Sequence, residues 1–225
     1  MKSPLGTTIA GESVELWPQR ALFWPAGGTM FIADPHFGKA AAFRSFGLAA
    51  PDGTAEDLQR LDELLNSAAA TRLVVLGDFF HARAGRSEAT LTALATWRAD
   101  WPQLAITLVR GNHDRHAGDP PASLAIECVS EAWPLGPWAC CHRPASHPDG
   151  HVLAGHVHPG VALRDRGGAR LRSACFVSGP RRTLLPAFGA FTGLEMISPG
   201  EGERIFVTGE SEVVGLPAAR GRRRI

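Results

Sequence analysis

The sequence predicts an α/β fold, a four-layer α/β/β/α sandwich of two mixed β-sheets. Three observations lead there. Before Asp114, short apolar runs alternate with longer helical patterns, the signature of parallel strands joined by crossovers. After Asp114, short β-rich pieces are separated by Gly/Pro turns, which reads as a second, mostly antiparallel sheet. Three apolar runs end directly in acidic, amide or histidine blocks, and in open sheets the carboxyl edge is where ligands bind. Two sheets packed together, with helices outside, give the sandwich.

Residues 1–28 carry Trp17, Trp24 and several glycines and predict one or two edge strands with turns. Met30–Ala33 is a buried strand, followed by a loop through Phe43 and Pro51. A helix is expected over Thr54–Ala69. Thr54 and Asp57 resemble a capping box, and Leu58, Leu61, Leu64 and Leu65 fall on one face. Leu73–Leu76 is the second buried strand. Ser87 opens another helix, with Leu91, Leu94, Trp97 and Trp101 at helical spacing, more simply core than a ligand platform. Leu104–Val109 is the third strand. The second half offers Ala125–Val129, Trp138–His142, Val152–Ala154, Val161–Leu163, Leu171–Val177, Ala190–Ile197 and Arg204–Val207 as strands, and no clear helix.

The chain has 225 residues, 44% hydrophobic and 20% charged, and this balance is that of a globular chain with a substantial core, not a disordered one. One domain, 1–225, is expected, with the arginine-rich end from about 216 to 225 read as a frayed tail that could touch nucleic acid. Net charge is +1, so the whole molecule is no polycation. Lys2 and Lys39 are the only lysines among 23 basic residues; a GC-rich coding bias explains that most simply. No run of eighteen apolar residues exists, and no secretion signal opens the chain. Cys128, Cys140, Cys141 and Cys175 form no CxxC pair and read as free thiols of a reducing compartment, so a cytoplasmic location is expected.

Function is written in five blocks: Asp34-Pro35-His36, Gly77-Asp78, Gly111-Asn112-His113-Asp114, His142, and Gly155-His156-Val157-His158. Two carboxylates (Asp34, Asp78), one amide (Asn112) and four histidines (His36, His142, His156, His158) make seven candidate ligands. Imidazole, carboxylate and amide oxygen without thiolate suit Mn²⁺, Fe or Zn²⁺. A catalytic metal seldom takes more than four protein ligands, so seven fit two ions sharing one carboxylate. Paired metals about 3.5–4 Å apart are the known device for in-line displacement at phosphorus. His142 stands without a long motif; its place at the end of Trp138-Ala139-Cys140-Cys141 supports it, and His147 and His151 are near enough in sequence to compete.

In this order and after these strands, the blocks resemble the calcineurin-like metallophosphoesterase superfamily. Its pattern is D-x-H, G-D, G-N-H-D/E, H, G-H-x-H, on a two-sheet sandwich. The resemblance implies that Asp34, His36 and His158 ligate one divalent ion, Asn112, His142 and His156 a second, and Asp78 both. It implies that His113 faces the substrate and protonates the leaving oxygen or stabilises the phosphoryl charge. Asp114 would orient His113. Asp34–Lys39, Phe43–Thr54, Gly77–His81 and Leu185–Gly193 look more closely like the bacterial ligase-associated DNA-damage-response endonuclease group. That group is encoded beside an ATP-dependent DNA ligase, an exonuclease and a helicase. Membership implies a manganese-dependent phosphodiesterase acting on DNA in repair, with single strands the expected form.

For substrate contacts, His81, Lys39, Arg44 and Arg115 are the candidates, within a local cationic rim that also includes Arg83, Arg86 and Arg110. Phe37, Phe43 and Phe79 either stack bases or fill the core. His116 reads as a rim residue, and His147 and His151 as surface. The alternatives are a phosphodiesterase or phosphatase for cyclic phosphates or nucleotides, a scaffold that has lost catalysis, or a DNA-binding module without hydrolysis. A full ligand set argues against the last two.

Overall fold

The computed structural model describes residues 2–50, 53–148, 150–164, 167–168 and 170–217. The basic stretch at 218–225 lies outside them. Seven strands form the first sheet, in chain order: β1 (Leu5–Ile9), β2 (Glu12–Trp17), β3 (Ala21–Trp24), β4 (Thr29–Ile32), β5 (Arg72–Val75), β6 (Ala105–Val109) and β7 (Ile126–Val129). β1 to β4 pair antiparallel as a meander, and β4 to β7 run parallel. The N-terminal region thus holds three strands, not one or two. β7, assigned from sequence to the second sheet, instead pairs parallel with β6, Leu108 opposite Cys128.

Four α-helices connect these strands: α1 (Lys39–Ser45), α2 (Thr54–Ala68), α3 (Glu88–Asp100) and the single turn α4 (Asp114–Ala117). α1 falls where a loop was expected; its run of three alanines, Ala40–Ala42, favours helix, and Ala40 and Ala42 are buried. On α2, Leu58, Leu61, Leu64 and Leu65 bury against Met30, Ile32, Leu73 and Val75. Each such burial contributes about 1.5–3 kcal/mol. The expected capping box is absent: Gly53 is the cap, Thr54 Oγ1 accepts from the Gly38 N–H at 3.3 Å, and Asp57 is engaged elsewhere. α3 does begin at Ser87, whose Oγ accepts from the Thr90 N–H at 3.2 Å. Trp97 and Trp101 pack against the core, and Trp101 Nε1 donates to Asp62 of α2 at 2.6 Å.

The second sheet contains β8 (Trp133–Leu135), β9 (Trp138–Cys140), β10 (His151–Ala154), β11 (Pro159–Arg164), β12 (Arg170–Ser178), β13 (Arg182–Leu184), β14 (Glu195–Met196), β15 (Arg204–Thr208) and β16 (Val213–Gly215). Its order is β14-β11-β12-β13-β10-β9-β8, with β15 on β12 and β16 on β15. It is mixed because β10 runs parallel to both neighbours and β14 parallel to β11. β8, β13 and β16 are too short to stand out in sequence. Of Ala190–Ile197 only Glu195–Met196 is strand.

The sheets meet face to face through Phe31, Val74 and Leu76 of the first and Trp138, Leu153 and Phe176 of the second. Cys140 joins this layer while Cys141 faces the opposite side, as strand alternation requires. α2 and α3 cover the outside of the first sheet. Outside the second, Val152, Val161, Val177 and Ile205 are packed by Ile197 and Leu216. All helical segments among the described residues precede Ala125, so this outer covering is loop. None of these helices is long and apolar enough to cross a membrane.

Candidate metal centre

The five blocks come together where the two sheets meet. Asp34 and His36 follow β4, Asp78 follows β5, and Asn112 and His113 follow β6. The second sheet supplies His142 after β9, and His156 and His158 after β10. Ligating atoms of Asp34, His36 and His158 lie within 4.8 Å of one another, and so do those of Asp78, His142 and His156. His142 is fully buried, and its rivals are elsewhere. His151, read from sequence as surface, is buried: strand β10 carries it inward, and its Nε2 meets Thr183 Oγ1 at 2.9 Å.

Backbone conformation marks the same residues. Among the described residues nine non-glycine residues have positive φ, and five of them are Asp34, His36, Asp78, His156 and His158. Such conformations cost energy and persist where surrounding structure enforces them, typically at functional sites. The glycines of the blocks have a matching reason. A Cβ on Gly77 would lie 2.1 Å from His142 Nδ1, on Gly111 2.2 Å from Asp78 Oδ1, and on Gly155 2.3 Å from Asp34 Oδ2. Gly77→Ala is doubly forbidden, since φ there is 82°. Activity should fall on the order of 10²-fold, the usual cost of a displacement near 1 Å in a reacting site. A wild-type rate from a folded G77A protein would refute this packing.

The donor set fits cations. The Leu76 carbonyl, 3.2 Å from His142 Nδ1, can only accept, so the Nδ1 proton points to it and Nε2 offers a lone pair. That lone pair faces the acceptor oxygens Asn112 Oδ1 at 2.8 Å and Asp78 Oδ2 at 3.5 Å, with His156 Nδ1 at 3.0 Å. Lone pairs so close to one another are what a cation would hold together. Asp34 is fully buried, its Oδ2 accepts the His156 N–H at 2.8 Å, and its Oδ1 has no hydrogen-bond partner. Burial, and then the neighbouring Asp34, push Asp78 up to about 8. Burial, reinforced by surrounding histidines and Lys39, pushes His36 down to about 2, leaving it neutral as a ligand must be.

His113 Nδ1 meets the His81 carbonyl, which turns Nε2 toward Asp78 Oδ2 at 3.9 Å. Asp114 does not orient this ring, contrary to the expectation. Its buried carboxylate turns back and accepts from the N–H groups of Asp78 at 2.8 Å, Phe79 at 2.9 Å and Gly111 at 2.8 Å, stapling two ligand loops together. His81 lies in the site, stacked on His113 with centroids 5.2 Å apart, and burial pushes it down to about 4. Lys39 is partly buried at the start of α1. Arg44 is exposed and donates to Ala50 O at 3.0 Å; Arg115 is exposed beside His113. The wider cationic rim is thinner than expected, because Arg110 pairs with Asp119 and Arg86 donates to the carbonyls of Ala117 and Asp119. Phe37 and Phe79 are core. The 185–193 segment, strand-like in sequence near its end, closes over β4: Phe188 N–H donates to Ala33 O at 2.7 Å and Gly189 N–H to Asp34 O at 3.3 Å.

Strand-end carboxylates and imidazoles converging between two mixed sheets are what a metal-dependent phosphoesterase requires, and the chain belongs to the calcineurin-like phosphoesterase family, whose pattern it matches over residues 29–143. It is a hydrolase of that class. The nuclease MPE of Pseudomonas putida has a crystal structure similar to this one: 44% sequence identity, 95% of this chain and 100% of that one covered, TM-score 0.84. Yfce, a phosphoesterase from E. coli, aligns at 16% identity over 81% of this chain and 88% of that one, with a TM-score of 0.39. A search of curated proteins returns no match.

Proposed function

We propose that this protein is a manganese-dependent, two-metal phosphodiesterase that hydrolyses DNA, acting as an endonuclease of DNA repair in the cytoplasm, with residues 1–225 as one functional unit. The observation that carries the reading is the meeting of seven ligand side chains from five loops, five of them at positive φ, a strained conformation that clusters at functional sites. The likeness to a nuclease at 44% identity over the whole of that chain supports a nucleic acid as the substrate.

In this reading Asp34, His36 and His158 would hold one ion and Asn112, His142 and His156 the other, with Asp78 available to both. Bound there, the pair would supply Lewis acidity and an activated water for attack on phosphorus. The donor set suits Mn²⁺ first, with Fe and Zn²⁺ as alternatives. His113 stands at the exposed side of the centre; its Nδ1 proton goes to the His81 carbonyl, which fixes the ring, and only as the imidazolium would its Nε2–H protonate the leaving oxygen, returning the ring to neutral. Lys39, Arg115, Arg44 and His81 receive the flanking phosphates. His156 is exposed and His113 and His158 are half-buried, so the centre reaches solvent on that side, which suits a polymer better than an enclosed small molecule. The ligase, exonuclease and helicase encoded beside the group it resembles are the proposed functional partners.

The deciding experiment offers the enzyme single-stranded DNA, a 2′,3′-cyclic nucleotide and a simple phosphomonoester, each with Mn²⁺. Cleavage of the DNA with the highest kcat/KM is expected. Turnover of the monoester alone overturns the DNA reading, and no turnover of any substrate returns the protein to the scaffold class.

A further inference from the structure

The metal centre does not end at its ligands. From His113 a line of aromatic rings leads outward along one side of the site: His81 is stacked on His113, Phe43 lies 5.7 Å from His81, and Phe191 meets Phe43 edge-on at 5.8 Å. Phe191 is 46% exposed. The Lys39 ammonium sits between the last two rings, 5.8 Å from one and 5.9 Å from the other.

Phe191 is not what holds its own loop. Three charged residues, Asp57 buried and Arg20 and Arg60 half-buried, do that through the backbone. Asp57 accepts the Ala190 N–H at 3.2 Å. Arg20 donates to the carbonyls of Ala187 and Gly189 at 3.3 and 3.4 Å. Arg60, paired with Asp57, donates to the Phe188 carbonyl and lies over the Phe188 ring at 4.3 Å. The loop is further tied to β4 at Ala33 and Asp34. The ring is therefore presented on a rigid mount at a fixed place relative to the metal ligands, while roughly half its surface faces water.

We propose that Phe191, backed by Phe43 and Lys39, is a stacking platform for an unpaired nucleobase next to the phosphate being cleaved, so that the enzyme selects substrates whose bases are free to leave the stack. The inference rests on the DNA-hydrolase reading above. An aromatic face accepts any base, and the neighbouring ammonium attracts the adjoining phosphate, the combination by which single strands are held without sequence preference. A paired duplex keeps its bases stacked on one another and cannot use the ring without unpairing.

The test walks a single abasic (tetrahydrofuran) residue along a single-stranded oligonucleotide and measures kcat/KM with Mn²⁺ at each position. Wild-type enzyme should lose roughly 5- to 150-fold at one or two positions beside the cut, the range for one lost base stack. F191A should lose a similar factor on the intact strand and be indifferent to the abasic residue at those positions. F191L, which keeps apolar bulk without a ring, should behave as F191A does, and F191W should retain the wild-type pattern. Thermal melting confirms that each variant is folded. If F191A retains the abasic sensitivity, or loses equally at every position, the platform is refuted while DNA cleavage stands. If wild-type enzyme cuts no DNA at all, the underlying reading fails and this inference with it.

Discussion

Asp78→Asn should abolish activity and, in the metal-free protein, improve stability at alkaline pH. The two effects have one cause. In the proposed mechanism Asp78 would serve both ions, and losing several kcal/mol of charge stabilisation in the reacting state lowers kcat/KM by roughly 10³-fold or more, at about 1.36 kcal/mol per decade. Without metal the same carboxylate is a liability. Its folded value of about 8 stands above the ordinary 3.8, because it is buried and faces Asp34. A carboxyl raised on folding stabilises the fold below the unfolded value, and that contribution is lost as pH climbs through the folded one. Metal-free wild-type protein should therefore lose melting temperature between about pH 4 and pH 8 relative to D78N, whose amide does not titrate. Mn²⁺ should remove the wild-type deficit and, near pH 7, release about one proton per protein, read by calorimetry in buffers of different ionisation heat. D78N with kcat/KM within threefold of wild type would sink the assignment.

Asp114→Ala should unfold the site from beneath. Three buried N–H groups, those of Asp78, Phe79 and Gly111, would lose their acceptor at once. Bonds to a charged acceptor contribute about 1.5–3 kcal/mol each and are not additive, so a loss of about 3–5 kcal/mol is expected. In a chain of this size that lowers the melting temperature by roughly 10 °C. Asp114→Asn should recover only part, because its NH₂ would face a backbone N–H. The contrast with the role inferred from sequence is sharp. A residue that merely orients His113 would cut kcat and leave melting unchanged; a staple between loops moves both.

Legibility differed between strands and site. Three of the four parallel strands, β4, β5 and β6, were readable because each is a short, mostly apolar run leading into a ligand block, and the α2 leucines keep helical spacing. β8, β13 and β16 were not: each has only three residues, and none leads to a ligand as β9 leads to His142. The Ala125–Val129 run was recognised as strand but misplaced, since its partner β6 is chosen by sheet order and not by composition. α1 was hidden by the glycine and phenylalanine around it. Thr54 and Asp57 have the residue types of a cap, yet tertiary contacts claim both side chains: Thr54 holds Gly38, and Asp57 holds the 188–193 loop.

The sequence by itself determined the chemistry. The types of side chain, their order and their place at strand ends specify which atoms are available to hold cations, because donor chemistry belongs to the residue and not to its neighbours. Tertiary structure alone decided how those atoms face one another: the lone pairs gathered around His142, the elevated Asp78, the turn of Asp114 away from His113, and the exposed ring of Phe191 on its mount. Distance, burial and dielectric arise only when segments far apart in the chain share a few ångströms of space, and no reading of single positions contains them.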